Sequence, residues 1–413
     1  MIDLTQDRRF CAAAGPAGHS AAMNSGRMIF SQLTDFVSLP EFRRYVARYD
    51  GNRRIRSFSC WHQFRCMALG QLTGRESLRD TATCLRALGS RLFHAGIRGR
   101  VSRSTLADAN ELRDWRLYAD LAMGLIQHAR TLYRNPSLDV GIDLQQPAYA
   151  FDSTTIDLCL KLFSWAQFRR RNGAVMLHTL IDLRGSIPCF IHVSSGTMAD
   201  VRSLDDLPIE PPSFYVMDRG YIDFARLWRF TQNLAFFVTR AKKGIDYKRP
   251  CWREVDRSTG LRSDTTVRLC GPKTAGLYPQ PLRRVGYGDE ELGRKFVFLT
   301  NNFDLPALTI AQLYHRRRDV ELFFKWIKQH LRIKAFYGYS ANAVKTQVWI
   351  AVCVYVLVAI VHKELNIERS MADLLPILSL TLLEKELLSP RFFQETDHDT
   401  IAQNSNQLSL FEI

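Results

Sequence analysis

From Phe30 to Tyr133 apolar residues recur at three- and four-residue spacings, the period of helices with one buried face, punctuated at Pro40, Gly51, Gly74 and Gly99. That pattern predicts an all-helical unit over residues 28–134, preceded by a disordered stretch, 1–27. Within it, Thr73-Gly-Arg-Glu76 and Thr105-Leu-Ala-Asp108 match the pairing of a hydroxyl with a carboxylate three residues on that caps a helix N-terminus. The second opens a long helix with Leu112, Trp115, Leu121, Leu125 and Leu132 on its apolar side. Several helices in so basic a block are compatible with a helix-turn-helix. Residues 134–147, with Asn135, Pro136, Gly141 and Pro147, have loop composition and mark the first boundary.

The period then changes. Ala148 to Phe151 is an apolar run leading into Asp152, and Ala174 to Leu183 and Ile187 to Val193 are apolar strands joined across Arg184-Gly185-Ser186, a hairpin signal. Ser213 to Met217 is a further strand ending at Asp218, Asp223 to Asn233 returns to helix, and Leu234 to Thr239 is strand again. Strand, hairpin, strand, helix, strand implies an α/β unit over residues 135–393: a mixed sheet flanked by helices. Residues 240–294, rich in Gly, Pro and basic side chains, read as a β-rich insertion. Strand resumes at Lys295 to Thr300, helix runs from about Thr309 to Leu388, and residues 394–413 are a polar tail.

Composition narrows the classes. With 46% of 413 residues hydrophobic and 23% charged, the chain can bury a sizeable core, which excludes a coiled-coil rod or a disordered tail. The net charge of +15 favours a polyanionic partner, although a basic enzyme of another kind has the same balance. Residues 51–100 hold ten Arg against only Glu76 and Asp80, and no Lys precedes Lys161. Arginine grips phosphate through a planar fork, so Arg53, Arg54, Arg56, Arg75 and Arg103 are candidate contacts to a DNA backbone; GC-rich coding gives the same preference. Nine Cys without a C-x-x-C pair read as reduced thiols in a cytoplasmic protein. The apolar run Val348 to Val361 covers 14 residues, short of the roughly 20 a membrane span needs, and reads as a core helix. Near the N-terminus Gly15, Pro16 and Gly18 interrupt the run that a secretory signal requires, and Met23 and Met28 are alternative starts to Met1.

The densest chemistry lies at Tyr314, Arg317, Glu321 and Lys328, spaced by three, four and seven. At about 100° per residue, one continuous helix would carry them on a stripe roughly 60° wide. Two cations suited to phosphate oxygens would flank one carboxylate suited to a metal. Ordinary i, i+4 ion pairs on a solvated face give the same stripe. Asp152 and Asp218 end or follow apolar strands, where a single Asp is commonly a turn or cap residue. Taken together, three carboxylates beside a cationic stripe are what a two-metal phosphoryl-transfer site needs.

Phe151-Asp-Ser-Thr-Thr155, Asp218-Arg-Gly-Tyr221 and the Y-x2-R-x3-E-x6-K signature at Tyr314, Arg317, Glu321 and Lys328 resemble the DDE transposases of bacterial insertion sequences, in the insertion sequence 4 family. Arg56-Ser-Phe-Ser-Cys60, Gln71 to Leu78 and Val101 to Asp108 are similar to the helical N-terminal domain of one branch of it, so the resemblance covers roughly residues 28–390. It implies an RNase H-like core using two Mg²⁺ ions, with Mn²⁺ as a substitute, held by Asp152, Asp218 and Glu321. It also implies Tyr314, Arg317 and Lys328 on DNA phosphates, and Trp252 as a base-stacking aromatic in the insertion; Trp252 as a core aromatic is the alternative. The implied activity is cut-and-paste transposition in the bacterial cytoplasm, at the nucleoid. A homodimer would cleave double-stranded DNA at terminal inverted repeats and join the 3′ hydroxyl to target DNA. A decayed DNA-binding remnant and an RNase H-like nuclease without strand transfer are the other readings.

Gln407-Leu408-Ser409-Leu410-Phe411, after the polar tail, resembles the short peptide with which bacterial proteins dock on the replication sliding clamp. A hydrophobic latch against the chain's own core is the alternative.

Overall fold

The computed structural model of the chain describes residues 27–134, 144–158, 163, 165–169, 172–196, 200–289, 293–331 and 336–389. The N-terminal period resolves into α1 (Ile29–Thr34), α2 (Leu39–Arg48), α3 (Cys60–Leu72), α4 (Leu78–Leu88), α5 (Arg103–Leu112) and α6 (Arg116–Leu132). Neither capping site expected from the sequence caps a helix. Thr73 instead closes α3, its hydroxyl donating to the Leu69 carbonyl at 2.6 Å. The cap of α4 is Ser77, which accepts from the Asp80 amide while Asp80 reaches back to the Glu76 amide, a reciprocal box four residues further on. Ser102, not Thr105, caps α5.

The long helix expected to run through Leu112 and Trp115 breaks there, leaving Leu112 83% exposed. Arg113 turns extended because its groups are drawn inward: the guanidinium donates to Gln63 Oε1 at 2.9 Å, and its carbonyl accepts from Asn342 Nδ2 at 2.7 Å. Asp114 then caps the Arg116 amide and α6 begins.

The ten strands among the described residues join one sheet: β1 (Ala148–Leu158), β2 (Gln167–Arg169), β3 (Asn172–Asp182), β4 (Ile187–Ser195), β5 (Phe214–Met217), β6 (Phe236–Arg240), β7 (Tyr247–Arg253), β8 (Leu261–Leu269), β9 (Leu282–Asp289) and β10 (Arg294–Thr300). The order is β2-β3-β1-β5-β6-β10-β9-β8-β7, with β4 also on β3. β1 is antiparallel to β3, which is antiparallel to β4, whereas β1, β5 and β6 run parallel. At the β3–β4 hairpin Gly185 has φ +80° and lies so close to the Tyr133 ring that a Cβ would sit 2.1 Å from it, so only glycine fits. The 240–294 excursion adds no separate layer. Its strands extend the sheet, since β9 pairs with β10 and β10 with β6.

Alternation along the strands feeds two cores. Ala150, Ile156, Leu177, Val216 and Val238 face one side, in a cluster that continues through the N-terminal helices. Tyr149, Phe151, Leu180, Tyr215 and Met217 face the other, against Leu227 and Phe230 of α7 (Phe224–Gln232). After β10 come α8 (Ala307–His315), α9 (Arg318–Leu331), α10 (Ala341–Glu364) and α11 (Met371–Thr381). The run around Val348–Val361 belongs to α10, whose 24 residues make it long and apolar enough to cross a membrane by length and composition. Of its most apolar window, 94% is buried inside the protein, and α10 packs on α3, α5, α6 and α9. This helix joins the N-terminal helices to the layer that carries Glu321.

Candidate active site

Two of the three carboxylates are placed by strand pairing. In the parallel β1–β5 pair Phe151 stands opposite Met217, and the next residue on each strand is an aspartate, Asp152 and Asp218. Neighbouring strands lie about 4.8 Å apart, so the two acids leave the sheet side by side. Asp152 accepts from the Ser153 amide at 2.8 Å, and the Asp218 carbonyl accepts from Thr239 Oγ1 of β6 at 3.2 Å.

The helical layer brings the rest. Tyr314 Oη donates to Asp218 Oδ1 at 3.1 Å, and its ring lies 4.8 Å from that of Phe298 on β10. Arg317 is the link between the other two acids: Nη1 donates to Asp152 Oδ2 at 2.6 Å and Nη2 to Glu321 Oε1 at 2.5 Å. The single helix expected through Tyr314, Arg317, Glu321 and Lys328 is broken. Arg316 and Arg317 lie in a tight turn between α8 and α9, with Arg317 N bonded to the Tyr314 carbonyl at 3.1 Å and Val320 N to the Arg317 carbonyl at 3.3 Å. Arg316 fixes the turn by donating to Asp319 and to the Leu183 carbonyl. Tyr314, Arg317 and Glu321 therefore converge from α8, the turn and α9. Lys328 lies two turns further along α9 and is exposed, outside this convergence.

The Asp152 carboxyl is raised to about 6: burial pushes it up most, the Ser153 amide and the Arg317 guanidinium pull it back in part, and the charges of Asp218 and Glu321 push it up. Burial alone would lower the Arg317 pKa, yet Tyr314, Asp152 and Glu321 leave it raised. Two buried polar atoms here have no hydrogen-bond partner among the described residues: Arg317 Nε, and Oγ1 of Thr179, which pairs with Asp152 across β1–β3. The donor set, three carboxylates in one another's fields, is the chemistry of a hard divalent cation. Their present spacing is that of a guanidinium-bridged pair: among the described residues no group of three His, Cys, Asp or Glu side chains is close enough to hold an ion.

The remaining residues expected from the sequence lie elsewhere. Trp252, on the edge strand β7, is 76% exposed and so is not a core aromatic. A buried pair steadies that edge, Arg283 donating to both Asp264 oxygens at 3.0 and 2.8 Å, with Arg253 reaching Asp264 at 3.4 Å. Arg53, Arg54, Arg56 and Arg103 are exposed, while Arg75 is partly buried and stands 3.7 Å from Asp80. Gln407 to Phe411 lies outside the described residues. The sequence pattern does not single out Thr179, because its place opposite Asp152 is set by the β1–β3 register.

A family model described as a transposase DDE domain matches residues 143–357, and one described as a domain of unknown function matches residues 25–98. The chain is similar to a putative transposase of Sinorhizobium fredii, 33% identical over 62% of this chain and 70% of that one. It is 31% identical to a probable transposase for an insertion sequence element of Geobacillus stearothermophilus, over 51% of this chain and 56% of the other. A cryo-EM structure of the piggyBac transposase synaptic complex with hairpin DNA aligns with 94% of this chain and 84% of its own, at 10% identity and a TM-score of 0.44.

Proposed function

The chain belongs to the transposase DDE domain family, an enzyme acting on DNA, and from that premise we propose that it is a cut-and-paste transposase of the Y-R-E-K branch, with Asp152, Asp218 and Glu321 as its catalytic acids. The observation that carries this reading is that Asp152 and Asp218 directly follow Phe151 and Met217, the last paired residues of the adjacent parallel strands β1 and β5, with Glu321 joined to Asp152 through Arg317. The strand order β4-β3-β1-β5-β6, antiparallel then parallel, supports an RNase H-like core.

DDE transposases generally use divalent metal ions. In this chain Asp152, Asp218 and Glu321 are the residues to hold Mg²⁺, which when bound supplies Lewis acidity to the phosphorus centre and to the attacking oxygen. Arg317 has a second role within reach: its fork fits two phosphate oxygens as well as two carboxylate oxygens, so a DNA phosphate beside the cleaved bond competes for it. Tyr314 keeps its hydroxyl on Asp218 and fixes that carboxylate's direction. Lys328, exposed on the same helix as Glu321, is a point charge for the strand beyond. Hydrolysis at the element's end frees a 3′ hydroxyl; this oxygen then attacks a target phosphodiester, displacing the target's own 3′ oxygen.

Around this centre the exposed N-terminal arginines Arg53, Arg54, Arg56 and Arg103, with Arg75 on the same unit, serve to grip the terminal inverted repeats, and Trp252 to stack on a displaced base. A homodimer pairs two ends, Gln407–Phe411 docks on the sliding clamp, and the site of action is the bacterial nucleoid. The test uses uncut and pre-cleaved inverted-repeat ends with a labelled 3′ strand, a target plasmid and Mg²⁺. Joined product from the wild-type protein is expected. Cleavage of uncut ends without any joining would make it a nuclease, and binding without either would make it a decayed remnant.

A further inference from the structure

On the face of the sheet away from the carboxylates, the two aspartate-bearing segments meet again. Asp152 and Ser153 are consecutive on β1, so their side chains leave the sheet on opposite faces. Asp152 meets Arg317, whereas the Ser153 hydroxyl makes a short hydrogen bond with Tyr221 Oη. Tyr221 ends the 3-10 turn Arg219–Tyr221 that follows Asp218; it is 3% exposed, with its ring edge-on to Phe151 at 5.1 Å. From Ser153 the chain of hydrogen bonds continues to His178 Nδ1 at 2.8 Å, from His178 Nε2 to Ser194 Oγ at 2.9 Å, and from Ser194 Oγ to the Ser195 carbonyl at 3.3 Å. It crosses the turn, β1, β3 and β4.

Only one direction of donation satisfies every member. Burial, then the neighbouring His192, hold the His178 pKa down to about 4, so the ring is neutral, with one donor and one acceptor nitrogen. If Tyr221 donates to Ser153, Ser153 to Nδ1, Nε2 to Ser194 and Ser194 to the carbonyl, each hydrogen has an acceptor. Reversed, the Tyr221 hydrogen has none among the described residues. The need for such a tie is local. β1–β5 pairing ends at Phe151 and Met217, so Asp218 stands one residue beyond the ladder; Thr239 and Tyr314 hold it from the β6 and α8 side, and the Tyr221–Ser153 bond ties its turn to β1.

We propose that Tyr221 and Ser153 are positioning residues: their shared hydrogen bond pins the turn that carries Asp218 to the strand that carries Asp152, and so sets the spacing of the two carboxylates for a divalent cation. This rests on the reading of those acids as the metal-binding centre. Residues that orient metal ligands from behind typically change metal affinity or activity by about 10- to 100-fold when replaced.

The experiment uses the full chain bound to inverted-repeat DNA, with Mn²⁺ affinity read by electron paramagnetic resonance and single-turnover cleavage, DNA affinity and melting temperature measured alongside. Tyr221→Phe, which keeps the buried ring, and Ser153→Ala should each weaken Mn²⁺ binding and slow cleavage about tenfold or more, with DNA affinity unchanged. The double variant should be no worse than the poorer single one, because both remove the same bond. Wild-type Mn²⁺ affinity in Tyr221→Phe, or losses that simply multiply in the double variant, would overturn the proposal. Should Ser153→Ala fail to fold, Tyr221→Phe decides alone. Asp152→Asn separates the two levels: if it binds Mn²⁺ as the wild type does, the reading of the centre fails whatever Tyr221 does.

Discussion

Arginine is used in opposite ways in two regions of this molecule. At the sheet, Arg317 is 17% exposed and spends its fork on two named carboxylates, its position fixed to within a hydrogen bond. On the N-terminal helices Arg53, Arg54, Arg79, Arg98, Arg100 and Arg103 are exposed and carry no ion pair among the described residues. A paired, buried cation orients its partners and tolerates no substitute. A solvated set contributes field and counterion release, where the number of charges matters more than any one position.

The sharpest way to break that contrast is Arg317→Gln, which leaves Asp152 and Glu321 facing each other unbridged and removes the fork offered to phosphate. Cleavage should fall by about 100-fold or more, the cost of losing one charged donor at a reacting group, and Arg317→Lys should restore little of it. Recovery to near wild-type rate in the lysine variant would show that charge alone suffices. Trp252→Ala comes next: loss of one stacked base is worth about 1–3 kcal/mol, so processing of the end should slow roughly tenfold, with Trp252→Phe close to wild type. An unaffected rate would remove Trp252 from the DNA path.

On the helical side, Arg98→Ala and Arg100→Ala should weaken binding only a few-fold, equally for any DNA sequence. Every DNA phosphate that is no longer neutralised should make the slope of log affinity against log salt shallower by about 0.9. A slope that does not move would mean these arginines face away from DNA. The smallest effect concerns stability. His178 is held down to about 4 against an ordinary 6.5, so the unfolded chain binds the proton first as pH falls. Its stabilising share is complete above pH 6.5 and is lost as pH drops toward 4. Thermal melts of wild type and His178→Gln should therefore converge across that window, and parallel curves would contradict it.

The convergence of Asp152, Asp218, Tyr314, Arg317 and Glu321 was partly legible from period and spacing. Asp152 and Asp218 each follow an apolar run; β5 does end there, whereas β1 continues to Leu158, and Tyr314, Arg317 and Glu321 stay on one side although a turn at Arg316–Arg317 interrupts the helix. The pairing partners were not legible, since register depends on tertiary contacts: Tyr221 against Ser153 and Thr179 opposite Asp152 are set by strand order. Helix ends were misread for a related reason. Thr73 and Ser77 both offer a hydroxyl before a carboxylate, and only the surroundings decide which one caps. The breaks at Arg113 and at Arg316–Arg317 arise where arginine side chains are drawn to distant partners, Gln63 in one case and the Leu183 carbonyl in the other. No local pattern records such a pull.

Binding and cleavage read in the same tube decide whether Asp152, Asp218 and Glu321 form one metal-dependent catalytic centre separate from the arginines proposed to grip DNA. Wild type and Glu321→Gln would be incubated with a labelled inverted-repeat end, with and without Mg²⁺. Equal end binding by both proteins is expected, with Mg²⁺-dependent nicking by wild type and none by Glu321→Gln. Nicking that survives in Glu321→Gln, or wild-type cleavage that needs no divalent ion, would contradict it.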